Sequence, residues 1–375
     1  MLLKLVDIWK LILVSVGIII GGCVPVYRME KLKIRVEKEI PIVRVLIGET
    51  SEIILEGTKL LIQGSDSKIP IPKFVVNKEN IELGDKKIRI ESFEWPAEIS
   101  SEDGIIRFNG KHYRGNIVIH KNRNKYVIVN KVNIEDYLKG VVPCELRTPE
   151  FEALKAQAVA CRSYALAKLA RLRANNSAEK RECIYELKST VDDQVYGGKD
   201  SETEPTDRAI NETYGIVGTY NGKVINAGYH STCGGKTNDG GEPYLVSRIC
   251  HFCELSPQYK WEISSSVADI SKGMGKIKNI EICSKTSSGR VKAVKVLGET
   301  GNHTISGEEL RSRLGLKSCF FDIIVGGDEV KITGRGYGHG IGLCQYGAIG
   351  MASKGYDYKS ILKFYFKGIR IEKIY

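Results

Sequence analysis

The chain has 375 residues, 27% of them charged and 42% apolar, with a formal net charge of +11. That is ordinary globular composition, with enough chain to bury a substantial core in one large domain or two. Lysine and arginine are spread along the whole length and no basic block alternates with aromatics, which argues against a nucleic-acid partner and leaves a polyanionic surface as a fitting one.

The first residues read as a leader. Lys4 and Lys10 flank an apolar and glycine run, Leu11 to Gly22, that is short for a transmembrane helix and right for a signal peptide. Residues 1–22 are therefore read as a signal peptide or membrane anchor. Ile20-Gly21-Gly22-Cys23 is similar to a bacterial lipobox, in which Cys23 becomes the lipidated first residue. An uncleaved anchor and ordinary cleavage are the alternatives. Each places the body of the protein in the cell envelope, at the outer face of the cytoplasmic membrane.

From 23 to 112 the pattern is β-rich. Lys33–Val36, Val43–Leu46, Ile53–Leu55, Leu60–Ile62 and Lys87–Ile90 are short alternating runs separated by turn residues. No titratable cluster falls here. Residues 113–375 form the second region. A hairpin is predicted around Lys121–Asn124, followed by a short capped helical turn from Asn133 that leads to Gly140. Next comes Val141-Val142-Pro143-Cys144-Glu145-Leu146, a lone carboxylate in an apolar run. Burial among such neighbours raises a carboxyl pKa and suits it to general-acid work; an exposed Glu145 paired with Arg147 is the plain alternative.

A long helix should follow, with Thr148 as cap and Pro149 at its first position. Leu154, Ala158, Cys161, Ala165, Leu169 and Leu172 give it one apolar face. Asn175-Asn176 should end it, with a surface loop over 175–182 beyond. The next hairpin turns on Asn221-Gly222, and its second strand should run into His230-Ser231-Thr232-Cys233-Gly234-Gly235. Residues 256–328 read as a structural segment with a strand over 291–297 and a short helix from Ser306. In Gly334–Gly342 glycine occupies every second position, which allows close approach of backbone but does not match a dinucleotide loop. Two helices, 345–354 and 358–366, close the chain. The whole predicts an α+β fold: a mixed, β-rich domain with a long central helix bordering a cleft, plus the N-terminal β-rich region.

Ten cysteines in an exported chain would ordinarily suggest disulfides, but the spacing favours a metal site with buried free thiols. Cys250-His251-Phe252-Cys253 can give zinc two thiolates and Cys233 a third. Cys344, His230 and His251 are candidates for the fourth position, and two disulfides are the alternative.

Val141 to Ala167, Asp193-Gln194-Val195-Tyr196-Gly197-Gly198, His230 to Gly235 and Gly334 to Ala348 together resemble the stage II sporulation protein D family, which includes the LytB-like amidase enhancers. The resemblance covers roughly Tyr113 to Lys367. It implies a catalytic domain over 113–375 with peptidoglycan lytic transglycosylase activity on glycan strands stripped of stem peptides. Glu145 matches the family's catalytic acid. Gln194, Tyr196, His230, Ser231, Thr232 and His339 would hold the glycan. Some members have Ser where this chain has Cys233 and Cys344, a paired difference that favours Cys344 as fourth ligand of a structural zinc. The alternative function is a non-catalytic, wall-binding enhancer of a partner cell-wall amidase.

Overall fold

The computed structural model describes residues 39–62, 71–77, 80–83, 86–89, 94–179, 183–270, 277–299, 301–327 and 329–375. The leader, Cys23 and the expected strand Lys33–Val36 lie outside the described residues. Among the described residues no helix is long and apolar enough to cross a membrane. Helices and several separate sheets are interspersed along the chain, an α+β fold as expected.

The largest sheet has eleven strands. At its centre Lys125–Asn133 pairs antiparallel with Ile42–Thr50 on one side and Asn116–Asn122 on the other. The sheet then continues through Ala97–Ser100 and Ile53–Ile62 into the short strands Ile71–Val76, Asn80–Leu83 and Lys86–Arg89. It therefore runs without a break across residue 113. The alternation read in the sequence places Val43, Val45, Ile117, Ile119 and Ile128 on one buried face. Val118, Val127 and Val129 form a smaller cluster on the other, beneath Tyr185.

The helices are α1 (Ile134–Glu145), α2 (Phe151–Glu179), α3 (Glu204–Glu212), α4 (Val267–Ile270), α5 (Gly307–Leu314), α6 (Gln345–Ala352) and α7 (Tyr358–Tyr365). Asn133 caps α1 by accepting the Asp136 N–H at 2.9 Å. The helix does not stop at Gly140 but continues through Pro143 to Glu145. Gly140 is required there because any Cβ would lie 2.4 Å from the Tyr196 ring. Pro143 is tolerated because it falls in the last turn, where only one intrahelical bond is lost.

Three expectations for α2 need correction. Glu150, not Thr148, caps it: the Glu150 carbonyl accepts the N–H groups of Ala153 and Leu154. The Asn175-Asn176 pair does not end it, and the helix covers most of the expected loop. Finally, it is not amphipathic over its first half. Residues 156, 157, 158, 159, 160, 161, 162 and 163 are all buried, so this stretch is enclosed on every side. One side packs in the core under the large sheet through Ala158, Cys161 and Ala165; the other packs through Ala153, Ala156 and Ala160 in a second core with α6 and α7.

Arg162 is the charged residue in that enclosed stretch. Its guanidinium is fully buried and donates to both oxygens of Glu135 at 2.8 and 2.7 Å and to the carbonyls of Ile216 and Ile210. Glu135 also accepts the Tyr375 hydroxyl at 2.6 Å and the Gly215 N–H. A third core belongs to the segment 261–332, built on Trp261, Val294, Val296, Phe321 and Ile332. Its strands Lys260–Ser266, Phe321–Gly326 and Glu329–Arg335 form one sheet and Ile277–Lys285, Val291–Gly298 and Gly301–Ser306 another.

Arg162→Leu should leave Glu135 buried without its counter-charge and lower stability by about 3–5 kcal/mol, the cost typical of breaking a buried pair from one side. Thermal or urea denaturation of the variant checks this, and replacing Glu135 by Gln in the same chain should recover part of the loss.

Candidate active site and four-thiol cluster

Glu145 is the last residue of α1, and three distant segments meet around it. Its Oε1 accepts the Val195 N–H at 2.8 Å. Tyr229 acts on its carboxyl group in the same direction, favouring the carboxylate. Its own carbonyl accepts Gln345 Nε2 at 3.0 Å, from the first residue of α6. Burial raises the Glu145 pKa, and the Val195 and Tyr229 donors pull it only partly back. No second carboxylate is among the groups acting on it among the described residues.

Gln194 and Tyr196 lie beneath the acid rather than facing solvent. Gln194 is fully buried; its amide donates to the Tyr229 hydroxyl at 3.1 Å and to the Cys161 carbonyl, and its carbonyl accepts the Tyr137 hydroxyl. Tyr196 packs against Tyr113 and Tyr137 and donates to Asn130 at 2.8 Å. Both side chains support the acid from below: Gln194 holds the Tyr229 hydroxyl, and Tyr196 buttresses α1 at Gly140.

Tyr229 itself was not singled out in the sequence. Its signal was its position directly before the His230 motif, but its role depends on a contact with a residue 84 positions earlier. The second strand of the Asn221-Gly222 hairpin stops at Val224, not at His230. Tyr229–His230 is a separate strand, paired in parallel with Leu343–Cys344. The turn itself is as expected, with positive φ at Asn221 and Gly222.

The glycine-rich segment crosses directly over this strand. Tyr337 and Thr232 exchange backbone hydrogen bonds. A Cβ on Gly336 would lie 2.5 Å from the Thr232 carbonyl, and one on Gly342 would lie 2.1 Å from the Gly228 carbonyl, so the alternating glycines are a steric requirement of the crossing. The crossing brings His339 onto His230, ring centroids 5.5 Å apart. His339 accepts the Ile341 N–H on Nδ1 and donates from Nε2 to the Tyr229 carbonyl at 2.9 Å, which fixes a neutral tautomer. His230 donates from Nδ1 to the Ile341 carbonyl, and burial, with His339 and Arg290 nearby, holds its pKa well below the ordinary value. Thr232 is buried and bonded to Ser256 at 2.6 Å, while Ser231 is only partly buried.

Beyond this crossing the sulfurs of Cys233, Cys250, Cys253 and Cys344 all lie within 4.8 Å of one another and are buried. Cys233 and Cys253 are 3.4 Å apart, too far for a disulfide, and every described cysteine is free. A tetrahedral centre with metal–sulfur bonds of about 2.3 Å would set sulfurs about 3.8 Å apart, so the cluster has the size for a metal. Cys344 is the fourth thiol of this cluster. His230 is bonded to Ile341, and His251 is exposed. The N–H groups of Cys233 and Gly347 point at Cys344 Sγ at 3.2 and 3.3 Å.

Arg290 lies buried beside the cluster. It is 2% exposed and donates to the carbonyls of Cys233 and Lys236 and to Ser288. No carboxylate is among its hydrogen-bond partners among the described residues. A buried guanidinium calls for a counter-charge, which these thiols would supply as thiolates around a metal ion.

Residues 122–220 match the family described as SpoIID, stage II sporulation protein, and 254–342 match a domain of unknown function, DUF8618. The first match holds Glu145, α2 and Val195; the second holds the third core and the glycine-rich crossing. The chain is 33% identical to an uncharacterised protein of Brachyspira hyodysenteriae over 307 residues, 77% of this chain and 80% of that protein. It is 30% identical to stage II sporulation protein D of Bacillus subtilis over 273 residues, 65% of this chain and 76% of that one. It is also 30% identical to the amidase enhancer of Bacillus subtilis over 393 residues, 86% of this chain but 53% of the enhancer. On these matches the chain belongs to the stage II sporulation protein D family.

Proposed function

We propose that this protein is a peptidoglycan lytic transglycosylase of the cell envelope, acting in wall remodelling or sporulation, with Glu145 as its single acid and base. The observation that carries the reading is the setting of Glu145: a partly buried carboxyl of raised pKa, held by the Val195 N–H, with no carboxylate partner among the described residues. A glycosidase working through paired carboxylates needs a second acid at a fixed separation. A transglycosylase does not. Protonated Glu145 gives its proton to the glycosidic oxygen as the bond to C1 breaks. The resulting carboxylate takes the proton of the sugar 6-hydroxyl, whose oxygen closes on C1 to form the 1,6-anhydro ring. The proton count balances and no water is consumed. The Val195 N–H and Tyr229 hydroxyl favour the carboxylate, so they stabilise the form that must act as base.

Ser231 and His339 are the proposed glycan contacts at the rim, with His230 and Thr232 holding the crossing in shape behind them. The four thiols are proposed to hold a structural zinc. Four sulfur ligands leave no open position for water, so the ion would supply stability to the crossing rather than chemistry. Cys344 also caps α6, whose first side chain holds the Glu145 carbonyl. Attachment to the outer face of the membrane through Cys23, or through an uncleaved leader, completes the reading. The second reading, a wall-binding enhancer of an amidase, is favoured by one observation, the similarity to a protein named amidase enhancer.

Glu145→Ala should reduce release of anhydro-muramyl ends from amidase-treated glycan strands by about 10²–10⁴-fold, as loss of a general acid does, with the fold and wall binding kept. Mass spectrometry of the digest decides: wild-type release by the variant leaves the enhancer reading. The pH profile gives a second check. The reactive form is protonated, so the rate should fall as pH rises through the Glu145 pKa, above the ordinary carboxylate range. Tyr229→Phe removes a donor that favours the carboxylate and should move that fall to still higher pH.

Purified protein should contain about one equivalent of zinc by elemental analysis. Cys344→Ser should lower that content and the melting temperature together. A zinc-free protein of undiminished melting temperature would remove the metal from this account.

A further inference from the structure

A cleft of about 520 Å³ opens along the outer half of α2 and is not part of the geometry around Glu145. Tyr164, Lys168 and Arg171 line it from α2, and Tyr220, Lys223 and Tyr244 line it from the Asn221-Gly222 hairpin and the loop beyond. Two runs of chain lead from it to the acid. Cys161, whose carbonyl takes the Gln194 amide beneath the site, precedes Tyr164 by three residues and Arg171 by ten. At the helical rise those are about 5 Å and about 15 Å. On the other wall Asn226 precedes Tyr229 by three residues, a span of at most about 10 Å. The cleft therefore begins a short step from the reacting centre and extends away from it.

Its inner end is rigid. Asp193 is 2% exposed at its side chain; it accepts the Tyr164 hydroxyl at 2.8 Å and the Lys188 N–H at 2.8 Å, and it pairs with Lys168. Two residues later the Val195 N–H holds Glu145. The wall of the cleft and the acid are thus fixed to one piece of backbone.

Its outer end is charged. Arg171 and Lys223 are exposed and make no ion pair among the described residues. Glu242 also lines the cleft, so, with Lys168 neutralised by Asp193, two unpaired cations stand against one exposed acid there among the described residues. The Tyr rings offer flat apolar surface, and the Asn221 and Asn226 amides offer partners for hydroxyl groups. Apolar faces with a few placed polar groups and a focused positive field suit a sugar that carries an acid.

We propose that this cleft is a distal subsite for an acidic sugar unit of the strand being cut, its carboxylate met by Arg171 and Lys223. The proposal rests on the reading of the substrate as peptidoglycan. Two sources share the chemistry: the lactyl carboxylate of a muramic acid freed of its peptide, and the carboxylates of an attached stem peptide.

The test uses the full chain carrying Glu145→Gln, so that strands bind without being cut, and compares it with the same chain carrying Arg171→Ala and Lys223→Ala as well. Binding is measured to peptide-free glycan strands, to the same strands with carboxylates converted to neutral amides, and to peptide-bearing strands. The double replacement should weaken binding to acidic strands on the order of tenfold, as two partly screened charge contacts do, and should leave binding to neutralised strands unchanged. Loss on peptide-free strands supports the proposal with the lactyl group as source; loss on peptide-bearing strands alone supports it with the stem peptide as source. Equal binding by both proteins to all acidic strands, or an equal loss on neutralised ones, overturns it. Release of anhydro ends by the chain with Glu145 intact is scored separately, so failure of the catalytic reading is distinguishable from failure of the subsite.

Discussion

The buried pair between Glu135 and Arg162 is the constraint around which the fold is arranged. A guanidinium without solvent and a carboxylate almost without it cannot be left with a single bond each. Here Arg162 is matched by two carboxylate oxygens and two carbonyls, and Glu135 additionally by Tyr375 and the Gly215 N–H. Those partners come from α1, from α3, from the strand Ile216–Tyr220 and from the last residue of the chain. Satisfying one arginine thus sets α1 against α2. Glu145 lies at the far end of the same α1, so its position follows from an interaction three turns away.

The second constraint is steric. The His230 strand and the glycine-rich segment approach too closely for a side chain at Gly336 or Gly342. The parallel pairing of His230 with Cys344 is what this closeness permits. From that pairing follow the stacked histidines, the position of Cys344 beside Cys233, and the start of α6 at Gln345. The four-thiol cluster and the acid are therefore joined by a single residue step, from Cys344 to Gln345, whose amide reaches the Glu145 carbonyl.

Much of this was legible in the sequence where the cause is local. Alternation marked the strands, Asn221-Gly222 marked its turn, Asn133 and Ser306 marked helix starts, and a lone carboxylate among Val, Pro and Cys marked the acid. What was not legible depends on distant partners. The helical turn from Asn133 was expected to lead only as far as Gly140, yet α1, packed there against Tyr196, continues to Glu145. The apolar stripe on α2 read as one face because Gln157, Arg162 and Ser163 are polar, and only their buried partners reveal that this side is enclosed too. For the fourth position the resemblance favoured Cys344 over two histidines, and only the pairing of residues 230 and 344 shows that its sulfur lies beside Cys233. Tyr229 and Gln345 reach Glu145 across 84 and 200 positions, a separation at which no pattern of spacing carries information.

The 200-residue reach from Gln345 to Glu145 has a consequence for synthesis and export. Contacts of such sequence separation form late, because the intervening chain must first be ordered. A chain threaded out amino end first would expose its acid long before the α6 amide emerged to hold it. The setting of Glu145 would then be complete only with completion of the fold, and a chain interrupted anywhere before residue 343 would carry Glu145 without the strand pairing and helix start that fix it in place.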